Sequence, residues 1–121
     1  MELIRATEAE HSAIEELMRI FYSEKEHAGM MPLEAVHGAV KKAAGLAHRG
    51  VYMFVLRSRE TGENVGYMFG ASVYSNEYGG FIFFLDEFMI HPDHRGHGSG
   101  AKAIRALRDW AWENDFVGVT L

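Results

Sequence analysis

The sequence contains no cysteine, and that absence removes several classes of chemistry at once. No disulfide framework, thiolate nucleophile or thiolate metal site can be built from it. A cysteine-free chain suits a reducing cytoplasm, which is the expected compartment. No uninterrupted apolar stretch reaches the ~18 residues of a membrane span, and no signal peptide opens the chain. Basic runs are lacking too. Lys+Arg 12 against Asp+Glu 17 gives a formal net charge of −5, which argues against nucleic acid as the partner. There are two prolines: Pro32 reads as a helix start and Pro92 as a strand stop.

The remainder has the make-up of an ordinary globular domain, 48% hydrophobic and 24% charged, and residues 1–121 read as one unit without repeat or linker. Its mildly acidic balance would tolerate a cationic substrate. Glu2 to Ala6 predicts a short first strand. Thr7 and Glu10 match a capping box, and Ile14, Leu17, Met18, Phe21 and Tyr22 then follow a helical stripe. A second helix is expected from Pro32, with Leu33, Val36, Val40, Ala43 and Ala47 as its apolar face and Gly50 as its stop. His27 to Met31, between the helices, reads as a substrate-side loop. Val51 to Ser58 and Val65 to Tyr74 predict a hairpin, with Gly66 and Gly70 allowing a bulge or close backbone approach. Ala103, Ile104, Leu107, Trp110 and Ala111 mark a third helix, and Phe116 to Leu121 alternates like a last strand.

The chemistry concentrates in Phe81 to Ala101, FIFFLDEFMIHPDHRGHGSGA. Phe81 to Ile90 is an aromatic-rich apolar run and reads as a strand buried on both faces. Asp86 and Glu87 interrupt it, and regular alternation places them on opposite faces. A glycine-rich turn and a helix follow. Glycines let the backbone approach a ligand, and the first amides of a helix are free to bind anions. Neither G-x-G-x-x-G nor G-x-x-x-x-G-K-[ST] is present, so a dinucleotide fingerprint and a P-loop are both excluded.

Arg95-Gly96-His97-Gly98-Ser99-Gly100 fits Arg-x-x-Gly-x-Gly/Ala, after a strand ending in Ile90-His91-Pro92. This resembles the acetyl-CoA motif of the GNAT superfamily of N-acetyltransferases. LDEFMIHPDHRGHGSG looks most like the spermidine/spermine acetyltransferase branch. The resemblance implies an α/β fold with a mixed sheet, in the order β-α-α-β-β-β-α-β that the whole chain follows. It implies direct attack of a primary amine, of a small molecule or a protein, on the thioester of acetyl-CoA. It further implies that Arg95, Gly96, His97, Gly98, Ser99, Gly100 and Ala101 hold the pyrophosphate, and that Met89 and Ile90 pair with the pantetheine arm through backbone groups.

Asp86 matches the family's proposed base, a glutamate in that branch, and is expected to act as base or amine-orienting carboxylate. Glu87 is the alternate. Burial among Phe83, Phe84 and Phe88 would suit a proton acceptor. For each acid the other reading is an ordinary strand hydrogen bond. Tyr22, Tyr74 and Tyr78 are candidates for the substrate pocket or the missing acid. His91, His94 and His97 recur every third residue, but an irregular turn with no acid set reads as solvated loop, and no metal is expected. Trp110 reads as core, Trp112 as cover for the lower sheet or a dimer contact. Family members continue past the fifth strand with a helix and two more strands, which this sequence lacks. The alternatives to a working enzyme are therefore a weak or inactive CoA-binding module, or a fragment of a longer acetyltransferase. An unprotected edge at Phe116 to Leu121 predicts a homodimer.

Overall fold

Two apolar periods, one near 3.6 residues and one of 2, sort the chain into helices and strands around a single sheet. The computed structural model describes all of residues 1–121. Strand β1 (Glu2–Arg5) leads through a 3-10 turn at Glu8–Glu10 into α1 (His11–Ser23). Helix α2 (Val36–Ala44) precedes β2 (Val51–Arg57), β3 (Asn64–Ser75) and β4 (Gly80–Ile90), and α3 (Ser99–Glu113) precedes β5 (Gly118–Thr120). The five strands lie in sequence order, antiparallel from β1 to β4, with β4 and β5 parallel. This is the mixed α/β arrangement and element order expected from the sequence.

The sheet divides the core into two layers. Against α3, Phe54, Leu56, Met68, Phe83 and Leu85 pack on Ala103, Leu107 and Ala111. Against α1 and α2, Met53, Val55, Tyr67 and Met89 pack on Ile14, Leu17, Met18, Val36, Val40 and Ala43. The predicted stripes of α1 and α3 face these layers, as do Val36, Val40 and Ala43 of α2.

Several boundaries differ. Pro32 is extended (ψ 138°) and stands before a 3-10 turn at Leu33–Ala35, so α2 begins four residues later than Pro32 suggested. Leu33 and Ala47 consequently stay exposed, and Gly50, at φ 81°, closes a separate turn at Ala47–Arg49. The capping box is present, with Glu10 accepting from the Thr7 amide at 2.8 Å and from the Thr7 hydroxyl at 2.9 Å. The last strand is shorter than its alternation predicted because Phe116 folds into the α3 core.

The central strand also departs from expectation. Phe81 and Phe84 are exposed while Phe83 and Leu85 are buried, so the first half of β4 is covered on one face only. Helices α1 and α2 cover the sheet near Tyr67 and Met89 and do not extend over Phe84. Trp110 packs edge-on to Phe54 with centroids 4.8 Å apart, as expected of a core residue. Trp112 is 79% exposed and covers nothing. No helix is long and apolar enough to cross a membrane.

Candidate functional site

The pairing of β3 with β4 slips at one place. Phe69 pairs with Glu87 and Gly70 with Leu85, so Asp86 is an extra residue opposite no partner. That is a β-bulge, and it breaks the alternation on which opposite faces for Asp86 and Glu87 depended. Phe83 and Leu85 face α3 before the bulge, and Ile90 does so after it, while Met89 faces α1 and α2. Counting on from Phe84 therefore brings Asp86 to the side that Glu87 occupies. The two carboxylates are neighbours on one face. Gly70 makes the slip possible: a Cβ there would lie 2.4 Å from the Phe84 carbonyl oxygen and 2.5 Å from the Phe83 ring.

The acids differ in their surroundings. Asp86 is exposed, not buried among phenylalanines as the sequence suggested, and its carboxylate accepts no hydrogen bond from the protein. Glu87 is half-buried and both of its oxygens are engaged. Tyr67 donates to Oε2 at 2.8 Å and Tyr22 donates to Oε1. Burial, reinforced by the Glu87 charge, pushes both phenols well above the ordinary tyrosine range, and the Asp86 charge adds to the effect on Tyr22. Tyr22 was a sequence candidate; Tyr67 was not. A tyrosine inside an apolar strand needs a hydroxyl partner once buried, and that need was the available signal.

From Glu87 the strand runs about 10 Å to its end at Ile90, at ~3.3 Å per residue. Strand β5 pairs only with Ile82, Phe83 and Phe84, so the same edge of β4 from Leu85 to Ile90 carries no strand. Beside it lies a cleft of about 470 Å³, lined by Phe88, Met89, Ile90, the glycine turn and, across from them, Phe21, Glu24, Glu26 and His27. Met89 and Ile90 have buried side chains, so only backbone groups could meet a ligand there, and the Ile90 carbonyl is already taken by Arg95.

The glycine turn closes the cleft at the start of α3. Gly96 and Gly98 take φ of 82° and 77°, left-handed values that glycine accommodates without strain. The helix bonds begin with the Lys102 amide donating to the Gly98 carbonyl at 3.1 Å. The amides of Ser99, Gly100 and Ala101 therefore have no acceptor within the helix. Those of Gly96, His97 and Gly98 donate to no protein group either. Six consecutive amides are thus available to an anion, and a Cβ on Gly96, Gly98 or Gly100 would meet no protein atom within 4 Å. This donor set fits a pyrophosphate.

Arg95 is placed otherwise than its position in the motif suggested. Its guanidinium donates twice to Glu24, at 2.7 and 2.8 Å, and its Nε donates to the Ile90 carbonyl at 2.8 Å. Its charge is matched by Glu24, and the pair ties the end of α1 to the end of β4. No local signal links residues so far apart in sequence. His27 stacks on Phe21 at 3.9 Å between centroids and fills the wall beside the pair. His91 accepts from the Asp93 amide at 3.1 Å and His94 lies 3.4 Å from Glu63, so each has its own loop partner. Tyr74 and Tyr78 are exposed and lie outside the cleft lining.

The model of the Acetyltransferase (GNAT) family matches residues 11–121. Among solved structures, an integron cassette protein from the mobile metagenome of Cole Harbour Salt Marsh is similar at 26% identity and a TM-score of 0.80. The match covers 98% of this chain and 74% of that one. The ribosomal-protein-alanine N-acetyltransferase of Brucella melitensis biovar Abortus 2308 shares the fold at 18% identity and TM-score 0.76, over 100% of this chain and 79% of that one. So does the aminoglycoside N-acetyltransferase AAC(6')-Iy in complex with CoA, at 13% identity and TM-score 0.71, over 98% and 74% of the two chains. No curated protein sequence matches.

Proposed function

Because the chain belongs to the GNAT acetyltransferase family, we propose that it transfers an acetyl group from acetyl-CoA to an amine. The observation that carries this is the run of six unpartnered amides from Gly96 to Ala101 at the mouth of a cleft, with two carboxylates farther along the same strand. Those amides hold the pyrophosphate. Arg95 acts indirectly, by fixing the cradle against Glu24. The free edge at Met89 and Ile90 pairs with the pantetheine arm. Bound acetyl-CoA supplies a thioester carbonyl open to nucleophilic attack. An alkylammonium, with a pKa near ~10, must first lose a proton. Asp86, exposed and unpartnered, draws in and orients the ammonium, and the Asp86–Glu87 pair supplies the proton acceptor.

The acceptor is sought among amines. The stretch LDEFMIHPDHRGHGSG supports polyamines as one class to assay, and aminoglycosides are another. Strand β5, with Val117 and Leu121 exposed beside it, supports pairing with a second copy of the chain.

Gly98→Val tests the cradle. The backbone there is left-handed and costs a β-branched residue about 1–2 kcal/mol, but no protein atom obstructs the side chain. The variant should fold and lose the thermal shift given by acetyl-CoA, which for the parent corresponds to roughly 2.7 kcal/mol at ~100 times Kd. Equal shifts in parent and variant overturn the cradle.

A further inference from the structure

Two phenols converge on Glu87 from different surroundings. Tyr67 projects from β3 and has no solvent exposure. Its hydroxyl donates to Oε2 and is sealed inside the α1 and α2 layer. Tyr22 comes from the last turns of α1, is half-buried, and donates to Oε1. A phenolic oxygen that donates one hydrogen bond still has lone pairs to accept another. Those of Tyr67 are closed off, whereas Tyr22 is half-buried and near enough to Asp86 to feel its charge.

Resting on the acetyltransferase reading, we infer that Tyr22 is a catalytic proton relay to Glu87, and that Tyr67 is a positioning residue that holds the receiving carboxylate. The ammonium docked on Asp86 gives a proton to Tyr22 Oη as the Tyr22 hydroxyl proton passes to Glu87 Oε1. One N–H bond breaks, one O–H bond is exchanged, and one O–H bond forms on the carboxylate. After acyl transfer the new amide nitrogen's surplus proton goes to the departing sulfur. The proton on Glu87 returns to solvent by the same hydroxyl, so each turnover releases one proton. Tyr22 never stores charge. Its phenol is held far above the ordinary range by burial and by Glu87, which suits conduction and excludes a standing tyrosinate.

Two measurements test the relay. With acetyl-CoA and a panel of alkylamines, aminoglycosides and amino acids, thiol release by Tyr22→Phe should fall about a hundredfold at pH 7. The gap should close towards pH ~10, where the amine is already neutral. Tyr67→Phe should keep the parent's pH profile. Without any substrate, Glu87→Gln should bring additional tyrosinate absorbance into an alkaline titration of the five tyrosines. A Tyr22→Phe loss that is uniform across pH, or an unchanged titration in Glu87→Gln, overturns the relay. Thermal stabilisation by acetyl-CoA without thiol release from any amine overturns the relay and leaves the cofactor reading standing. No stabilisation of the parent overturns both.

Discussion

The two sides of the sheet are packed by opposite rules. On the α3 side, Tyr52, Phe54, Phe83, Trp110 and Phe116 meet one another at centroid distances such as 4.8 Å and 5.7 Å, mostly edge to face. The Arg5 guanidinium lies 4.1 Å above the outermost ring, Tyr52. No carboxylate enters this layer. On the α1 and α2 side, Glu87 takes two phenols, and Glu15 sits 9% exposed with His37 at 2.9 Å and Arg19 at 3.5 Å. Aromatic stacking needs no partner atoms beyond the rings, whereas each carboxylate must have its hydrogen bonds found for it. One side therefore holds the domain together, and the other holds groups where chemistry can use them.

The largest expected effect should come from the holding side. Phe83 is fully buried at the centre of the rings, so Phe83→Ala should cost about 3–5 kcal/mol. In a domain of this size that lowers Tm by on the order of 10–20 °C. A drop of only a few degrees in a thermal melt would remove the distinction between the two layers. Asp86→Asn probes the other side. Its carboxylate is exposed and unpartnered, so stability should change by less than about 0.5 kcal/mol. The KM for the amine should rise roughly tenfold, the loss of one charge-assisted contact, while acetyl-CoA affinity stays the same. Unchanged KM would transfer the docking role to Glu87.

The smallest effect is expected at the seam, where Glu24 meets Arg95. The guanidinium holds the Glu24 carboxyl below the usual range. Its contribution to stability is thus complete above the unfolded carboxylate's value and is lost as pH falls through the lowered one. Glu24→Gln should cost under about 1 kcal/mol at neutral pH, and the difference from the parent should vanish in strong acid. A difference that grows on acidification would show that the pair is not what holds the seam.

The fold was legible because its signals are local. The stripe Ile14, Leu17, Met18 and the alternation through β2 and β3 each announce themselves within a few residues, and the glycine turn stands between a strand and a helix in plain order. The site was legible in part. Asp86 and Glu87 stand out in the sequence as candidates, but their relation does not, because the slip between Phe69 and Gly70 belongs to a pairing of two strands. The Tyr67 bond to Glu87 spans 20 positions and the Arg95 bond to Glu24 spans 71, and no local periodicity encodes either. Burial of Asp86 was misjudged for a related reason. Its neighbours are apolar, but Phe84 is itself 37% exposed.

The unpaired residue at Asp86 also gives β4 a change of parity. Up to Leu85, odd-numbered positions face α3; from Phe88 onward, even-numbered ones do. The strand is in effect two rulers joined half a unit out of step, and the join is where the proposed chemistry sits. Deleting one residue there would merge the rulers into one regular strand. Either the ring cluster around Phe83 or the cleft edge at Met89 would then have to turn inside out. The position that carries the exposed Asp86 carboxylate is thus also the one that lets a single strand serve a holding layer and a cleft edge in the same stretch.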